Sequence, residues 1–256
     1  MTAHRIIARI VNLSTWSDDH RWSHRARLPS LVRRFKHRRP QIIGRRSTGS
    51  YGALRAGRVR DTVPMDVLVP PDPPLAGIQA ALRPFRVSDA IAIADSCRDP
   101  DIPRFTMMPE AMTEDQARHW IERGLEWWPR GLARFAVTVP PSDECAGQMG
   151  IQFDFASRRA EAFYWLDRRV RGRGIAVEAL DLVTEWAFRD CGIVRVQVVT
   201  HLDNERSQKV AERCGFSREG VLRAWEPVKD EQPDVVMWSR LVNDAPPNLL
   251  RTGNGT

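Results

Sequence analysis

Ala176, Ala179, Leu180, Val183, Trp186 and Ala187 recur at helical spacing, directly downstream of an unbroken apolar and aromatic run, residues 162–166 (AFYWL). The first pattern predicts a helix with one buried face, and the second has the length and composition of a strand. Between them stands Arg169-Val170-Arg171-Gly172-Arg173-Gly174-Ile175-Ala176, so the local order is strand, glycine-rich turn, helix. Two glycines one residue apart at such a junction let the backbone approach a bulky anion with no Cβ in the way. The first N–H groups of the helix have no intrahelical acceptors, and with the positive end of the helix dipole they make an anion site, most naturally for phosphate.

Other stretches repeat one of these two periods. Residues 81–85, 133–139, 146–155, 161–167, 194–200, 218–224 and 235–241 read as strands, with Arg83 pointing away from the apolar side of the first. The fourth pairs antiparallel with the third about the turn at Ser157-Arg158-Arg159. Helices are expected from Ser88-Asp89 to Cys97, over 114–128 behind a capping box of Thr113 and Gln116, and after His201 to Asn204, where Ser207, Val210, Ala211 and Cys214 share a face. Residues 99–109 read as a Pro-rich loop; its Phe105, Met107 and Met108, with Trp127 and Trp128, line an acceptor pocket or fill the core.

Composition changes this picture mainly at the N-terminus. The chain of 256 residues is 42% hydrophobic, enough for a core, and no run has the 18 or more apolar residues of a membrane helix. The net charge is +7, but residues 1–75 hold 15 Lys/Arg against 5 Asp/Glu, so the basic excess belongs to that part alone. Residues 63–77 contain five prolines in fifteen positions, which blocks helix and interior strand. The expected organisation is therefore a basic, disordered extension over 1–62, a Pro-rich linker over 63–79, a folded domain over 80–242 and a solvated tail over 243–256. The basic cluster from Arg33 to Arg39 would alternatively serve as an arm for weak contact with RNA or the ribosome, held by counterion release. Cys97, Cys145, Cys191 and Cys214 lie far apart with no ligand spacing, which predicts buried thiols, no metal and a reducing, cytoplasmic setting.

The turn is not a Walker loop, because no Gly-Lys-Ser/Thr follows, nor a dinucleotide fingerprint, because Val177 stands at the third glycine. It fits the Arg/Gln-x-x-Gly-x-Gly/Ala loop of the GNAT superfamily of N-acetyltransferases. Leu82-Arg83-Pro84, Tyr164-Trp165-Leu166-Asp167, Asn204-x-x-Ser207, and Cys214-Gly215-Phe216 followed by Glu219-Gly220 occur around it in the family's order. The domain over 80–242 thus resembles GNAT enzymes, in particular the ribosomal-protein N-terminal (alanine/serine) acetyltransferase branch.

That resemblance implies an α/β, three-layer fold: a mixed, mostly antiparallel sheet of six to seven strands with helices on both faces, splayed open between two parallel strands, here those over 161–167 and 194–200. It implies acetyl-CoA as co-substrate, with its pantetheine on the backbone near Trp165 and Leu166 and its pyrophosphate on the amides of Arg171, Gly172, Arg173, Gly174, Ile175 and Ala176. Arg168, Arg169 and Arg173 would attract the 3′-phosphate or stand solvated. Asn204 would contact the cofactor or simply cap its helix. Ser207 would donate to the leaving thiolate, and Glu226 would act as base through water, each unless it is an ordinary helix or surface residue. The tyrosine acid of other GNAT branches has no counterpart after the Ser207 helix, so the acid is unassigned. At pH 7 an α-amine is roughly ten per cent neutral and a lysine amine about one part in two thousand, which favours an N-terminal amine, with small-molecule amines open. The implied protein is a monomer or homodimer with no membrane attachment. The competing readings are a CoA-binding sensor or scaffold without catalysis, and a nucleic-acid binder built on the basic arm.

Overall fold

The structure is a computed structural model that describes residues 67–225 and 227–247. Among these, strands Leu75–Ala76 (β1), Ala81–Pro84 (β2), Leu132–Thr138 (β3), Gly147–Asp154 (β4), Arg159–Leu166 (β5), Arg195–His201 (β6), Ser217–Leu222 (β7) and Val235–Leu241 (β8) form one sheet in the order β1-β2-β3-β4-β5-β6-β8-β7. Every neighbouring pair is antiparallel except β5 and β6, which run parallel. Helices Ala90–Ser96 (α1), Asp101–Phe105 (α2), Glu114–Leu125 (α3), Ile175–Arg189 (α4) and Glu205–Arg213 (α5) cover it.

The period-two alternation of the strands divides the core. Leu82, Phe135, Val137, Met149, Ile151, Ala160 and Ala162 pack with the apolar stripe of α4 (Ile175, Ala179, Leu180, Val183, Trp186, Ala187) and with Ala211 of α5. On the opposite face Phe85, Ala136 and Trp165 pack with α1, α2 and α3 through Ile93, Ile102, Ala117 and Ile121. Helices therefore lie on both faces, as the resemblance implies. Arg83 points to the second face, buried there against Asp89 at 2.8 Å. Thr113 and Gln116 make their reciprocal capping box, and the four cysteines are free and buried, both as expected.

Two local expectations are corrected. Residues 67–79 are not a plain linker: Leu68 is buried in the core and β1 pairs with β2, which adds an eighth strand to the seven read from the pattern. Prolines are tolerated because the strand is two residues long and at the sheet edge, and all of them precede its bonding residues. The carboxylate of Glu178 on α4 accepts from the N–H groups of Ile78, Gln79 and Ala80 at 2.9, 2.5 and 2.6 Å, fastening the segment to the domain. The stretch 99–109 is not all loop either. Pro103 falls in the first turn of α2, where its missing N–H costs nothing, and Ile102 beside it is buried. The basic extension, its proposed RNA arm and Glu226 lie outside the described residues.

Candidate active site

Parallel pairing between β5 and β6 covers only Arg159↔Arg195, Ala160↔Val196 and Glu161↔Gln197. Beyond it β5 continues to Leu166 and β6 to His201 without bonding, so the two strands open like a V. Asp167 donates its N–H to Ala146, which sets the antiparallel alternation of β4 and β5. By that alternation the main chain of Trp165 bonds to β4, whereas the N–H and C=O of Ala162, Tyr164 and Leu166 face the gap. The edge on which an extended ligand could pair therefore belongs to Tyr164 and to the N–H of Leu166, whose C=O already accepts from Arg171 Nε. Trp165 lines the adjoining cleft with its side chain.

At the mouth of the V the chain turns from β5 into α4. Asp167 caps a short turn, Arg168–Val170, by accepting from Arg169 N at 2.8 Å. Gly172 and Gly174 then take φ of 77° and 81°, in the left-handed region where a side chain is strained, and Gly174 is the N-cap of α4. Among the described residues, no oxygen accepts from the N–H groups of Gly172, Arg173, Gly174, Ile175 and Ala176. These unpaired amides converge at a helix N-terminus, the arrangement that holds a diphosphate.

The arginines divide differently from the motif. Arg171 turns inward, donating to Leu166 O at 2.9 Å and pairing with Asp99 at 2.8 Å and Asp101 at 3.2 Å. Its side chain is thus structural, tying the turn to α2, and its N–H is taken by Arg168 O at 3.4 Å, so the unpaired amides begin at Gly172 rather than at Arg171 as expected. Arg169 is exposed and paired with Asp167 at 2.8 Å, and Arg173 is exposed; neither side chain lines the cleft, whereas Arg168 does.

Across the gap, Asn204 caps α5 by accepting from Ser207 N at 3.1 Å. Ser207 Oγ lies 2.8 Å from the hydroxyl of Tyr164, reached from β5. Burial holds the Tyr164 phenol well above the usual tyrosine range, so it stays protonated at any working pH. His201, at the end of β6, lines the same cleft against the edge of the Phe105 ring at 5.5 Å. Burial lowers its pKa, with Asp203 and Glu231 opposing, so the imidazole is held neutral. The cleft, about 1730 Å3, runs from the glycine turn through the V and over the sheet face beneath α2, lined there by Phe105, Met107, Met108 and Trp120.

Residues 80–217 match the family described as acetyltransferase (GNAT) domain. The chain belongs to the GNAT family and is an N-acetyltransferase. The uncharacterized N-acetyltransferase p20 of Bacillus licheniformis is 30% identical over 162 residues, covering 62% of this chain and 91% of that protein. The ribosomal-protein-serine acetyltransferase of Escherichia coli (strain K12) is 27% identical over 132 residues, 51% of this chain and 73% of that one. Among solved structures, a GNAT acetyltransferase from Bacillus anthracis superposes with a TM-score of 0.60 at 19% identity, covering 67% of this chain and 99% of that one. The ribosomal L7/L12 alpha-N-protein acetyltransferase RimL, in complex with coenzyme A, does so at 0.60 and 21%, covering 66% and 97%. At such identities these two structures speak for the fold.

Within this GNAT domain, Arg171, Gly172, Gly174, Ile175 and Ala176 of the expected loop and the Asn204-x-x-Ser207 pair line one cleft from two sides of the V, whereas Arg169 and Arg173 do not. Sequence reading missed Tyr164 and His201. Tyr164 was visible inside a quoted motif, but a hydroxyl 43 residues upstream of Ser207 becomes its partner only through the sheet. Among the described residues, no helix is long and apolar enough to cross a membrane.

Proposed function

We propose that the chain is an acetyl-CoA-dependent N-acetyltransferase that moves an acetyl group to a primary amine, either the α-amine of a protein N-terminus or a small-molecule amine. The supporting observation is the V between β5 and β6, which leads from unpaired amides at the α4 N-terminus to the paired hydroxyls of Tyr164 and Ser207. The residues present fit the co-substrate: a diphosphate suits the amides of Gly172 to Ala176, and an amide-bearing arm suits the main chain of Tyr164 and the N–H of Leu166. Bound there, acetyl-CoA supplies a thioester open to direct attack by an amine. The chain's own residues keep that amine neutral and stabilise the departing sulfur. Ser207, in hydrogen bond with Tyr164, is the donor to that sulfur, and the buried phenol is the proton reserve behind it. The amine proton passes to the neutral imidazole of His201 or to Glu226, directly or through water.

Names among the relatives, a ribosomal-protein-serine acetyltransferase and an L7/L12 alpha-N-protein acetyltransferase, favour a protein N-terminus as acceptor. The test is thiol release from acetyl-CoA by the purified chain, screened against N-terminal peptides and a panel of small amines. Turnover with at least one acceptor, lost in Ser207→Ala while acetyl-CoA affinity persists, is the expected result. Acetyl-CoA binding without turnover of any amine would instead support a sensor or scaffold.

A further inference from the structure

The face of the sheet that floors the cleft carries a cation that, among the described residues, has no ion-pair partner. Arg134, in the middle of β3, lies with its guanidinium 5.0 Å from the Trp120 ring centroid, and among the described residues no carboxylate pairs with it. Its Nε is shut from solvent and has no hydrogen-bond partner. Burial lowers its pKa to about 10, the mark of a charge stripped of water and uncompensated.

Its surroundings are built for a ligand. Arg134 stands opposite Gly150, whose missing side chain leaves room for the Phe163 ring. Gln148 and Gln152 flank that glycine on the same face, and each holds a buried amide oxygen without a donor. Gln148 is only 4% exposed, and Gln152 Nε2 donates to Gly131 O at 3.0 Å and Phe153 O at 3.3 Å, which fixes the amide and leaves its oxygen unpaired. Arg134, Gln148, Gln152, Phe163 and Trp120 all line the one cleft that also reaches Ser207. Buried polar groups left unpaired are costly, and a guanidinium matches a carboxylate in two parallel hydrogen bonds.

We propose that Arg134 is the acceptor-specificity residue, binding a carboxylate carried by the acceptor molecule, while Gln148 and Gln152 accept from its N–H groups. Accepted substrates are therefore amines that also bear an acid, either the α-carboxylate of a free amino acid or an acidic side chain near a peptide N-terminus. This deepens the acetyl-transfer reading and rests on it for the word acceptor.

The experiment compares matched pairs on the full chain: an amino acid against its α-amide, and tetrapeptide amides with Asp or Asn in second position. Binding is measured by calorimetry in the presence of CoA, and turnover by thiol release. In the wild type the acidic member of one pair binds tighter by about tenfold or more. Arg134→Gln brings that ratio close to one, Arg134→Lys restores most of it, and CoA affinity is unchanged in both. Which pair responds identifies the source of the carboxylate. Equal binding within both pairs, or a preference that survives Arg134→Gln, overturns the inference even if every amine is acetylated. Acid-dependent binding lost in Arg134→Gln supports it even if no amine is acetylated, in which case the acetyl-transfer reading falls alone.

Discussion

The hydroxyl oxygens of Tyr164 and Ser207 lie 2.8 Å apart across the opening between two parallel strands. One is carried by a strand and the other by the first turn of a helix, so their distance reports how far the V opens. A phenol kept protonated by burial, in contact with a serine in the first turn of a helix, gives the cleft two hydroxyls in one hydrogen bond.

Tyr164→Phe and Ser207→Ala should each lower kcat by about a hundredfold, while the Kd for acetyl-CoA stays within about twofold. Because the two act through one hydrogen bond, the double variant should be little worse than the weaker single one. Additive losses in the cycle would show that the hydroxyls work separately.

His201 sets a pH dependence with a definite sign. Its folded pKa lies below the ordinary value near 6.5, so the unfolded chain takes up a proton first as pH falls. Stability associated with the neutral imidazole is present above about pH 6.5 and is lost as the pH drops through the lowered pKa. If His201 accepts the amine proton, the acid limb of kcat falls in that window and disappears in His201→Gln. A limb that persists in His201→Gln and vanishes in Glu226→Gln would assign the base to Glu226.

Gly172→Ala probes the anion turn with little collateral disturbance. A Cβ there meets nothing within 4 Å, yet φ of 77° costs a side chain about 1–2 kcal/mol. The expected outcome by calorimetry is weaker acetyl-CoA binding, by about tenfold, with an unchanged KM for the acceptor. At Gly174 the added Cβ also meets Gln79 Oε1 at 2.6 Å, so Gly174→Ala should combine the affinity loss with a lower Tm.

Arg240 on β8 is 2% exposed and holds Asp181 at 2.7 Å and Glu185 at 2.6 Å, both on α4. Removing it leaves two partly buried carboxylates facing one another. Arg240→Ala should cost about 3–5 kcal/mol in urea unfolding, and Arg240→Met, which refills the volume, less. Either variant that remains folded should bind acetyl-CoA normally, since the pair lies away from the V.

What could be read from the chain alone was whatever one stretch of backbone decides locally. The alternation of β3 to β6, the apolar stripe of α4, the Thr113 capping box and the paired glycines each owe their form to residues within a few positions of one another, and each stands where it was expected. The family's motifs extended this to the V, because they mark its two rims. Tertiary structure alone decided the rest. β1 exists because Leu75 finds Leu82, and α2 because Ile102 finds a core to enter. The Arg171 side chain became a strut because Asp99 and Asp101 lie beside it, and Tyr164, His201 and Arg134 owe their surroundings to neighbours brought in by other strands and helices. Periodicity records which face a side chain takes; what it meets there depends on strand order and register, which no local pattern encodes.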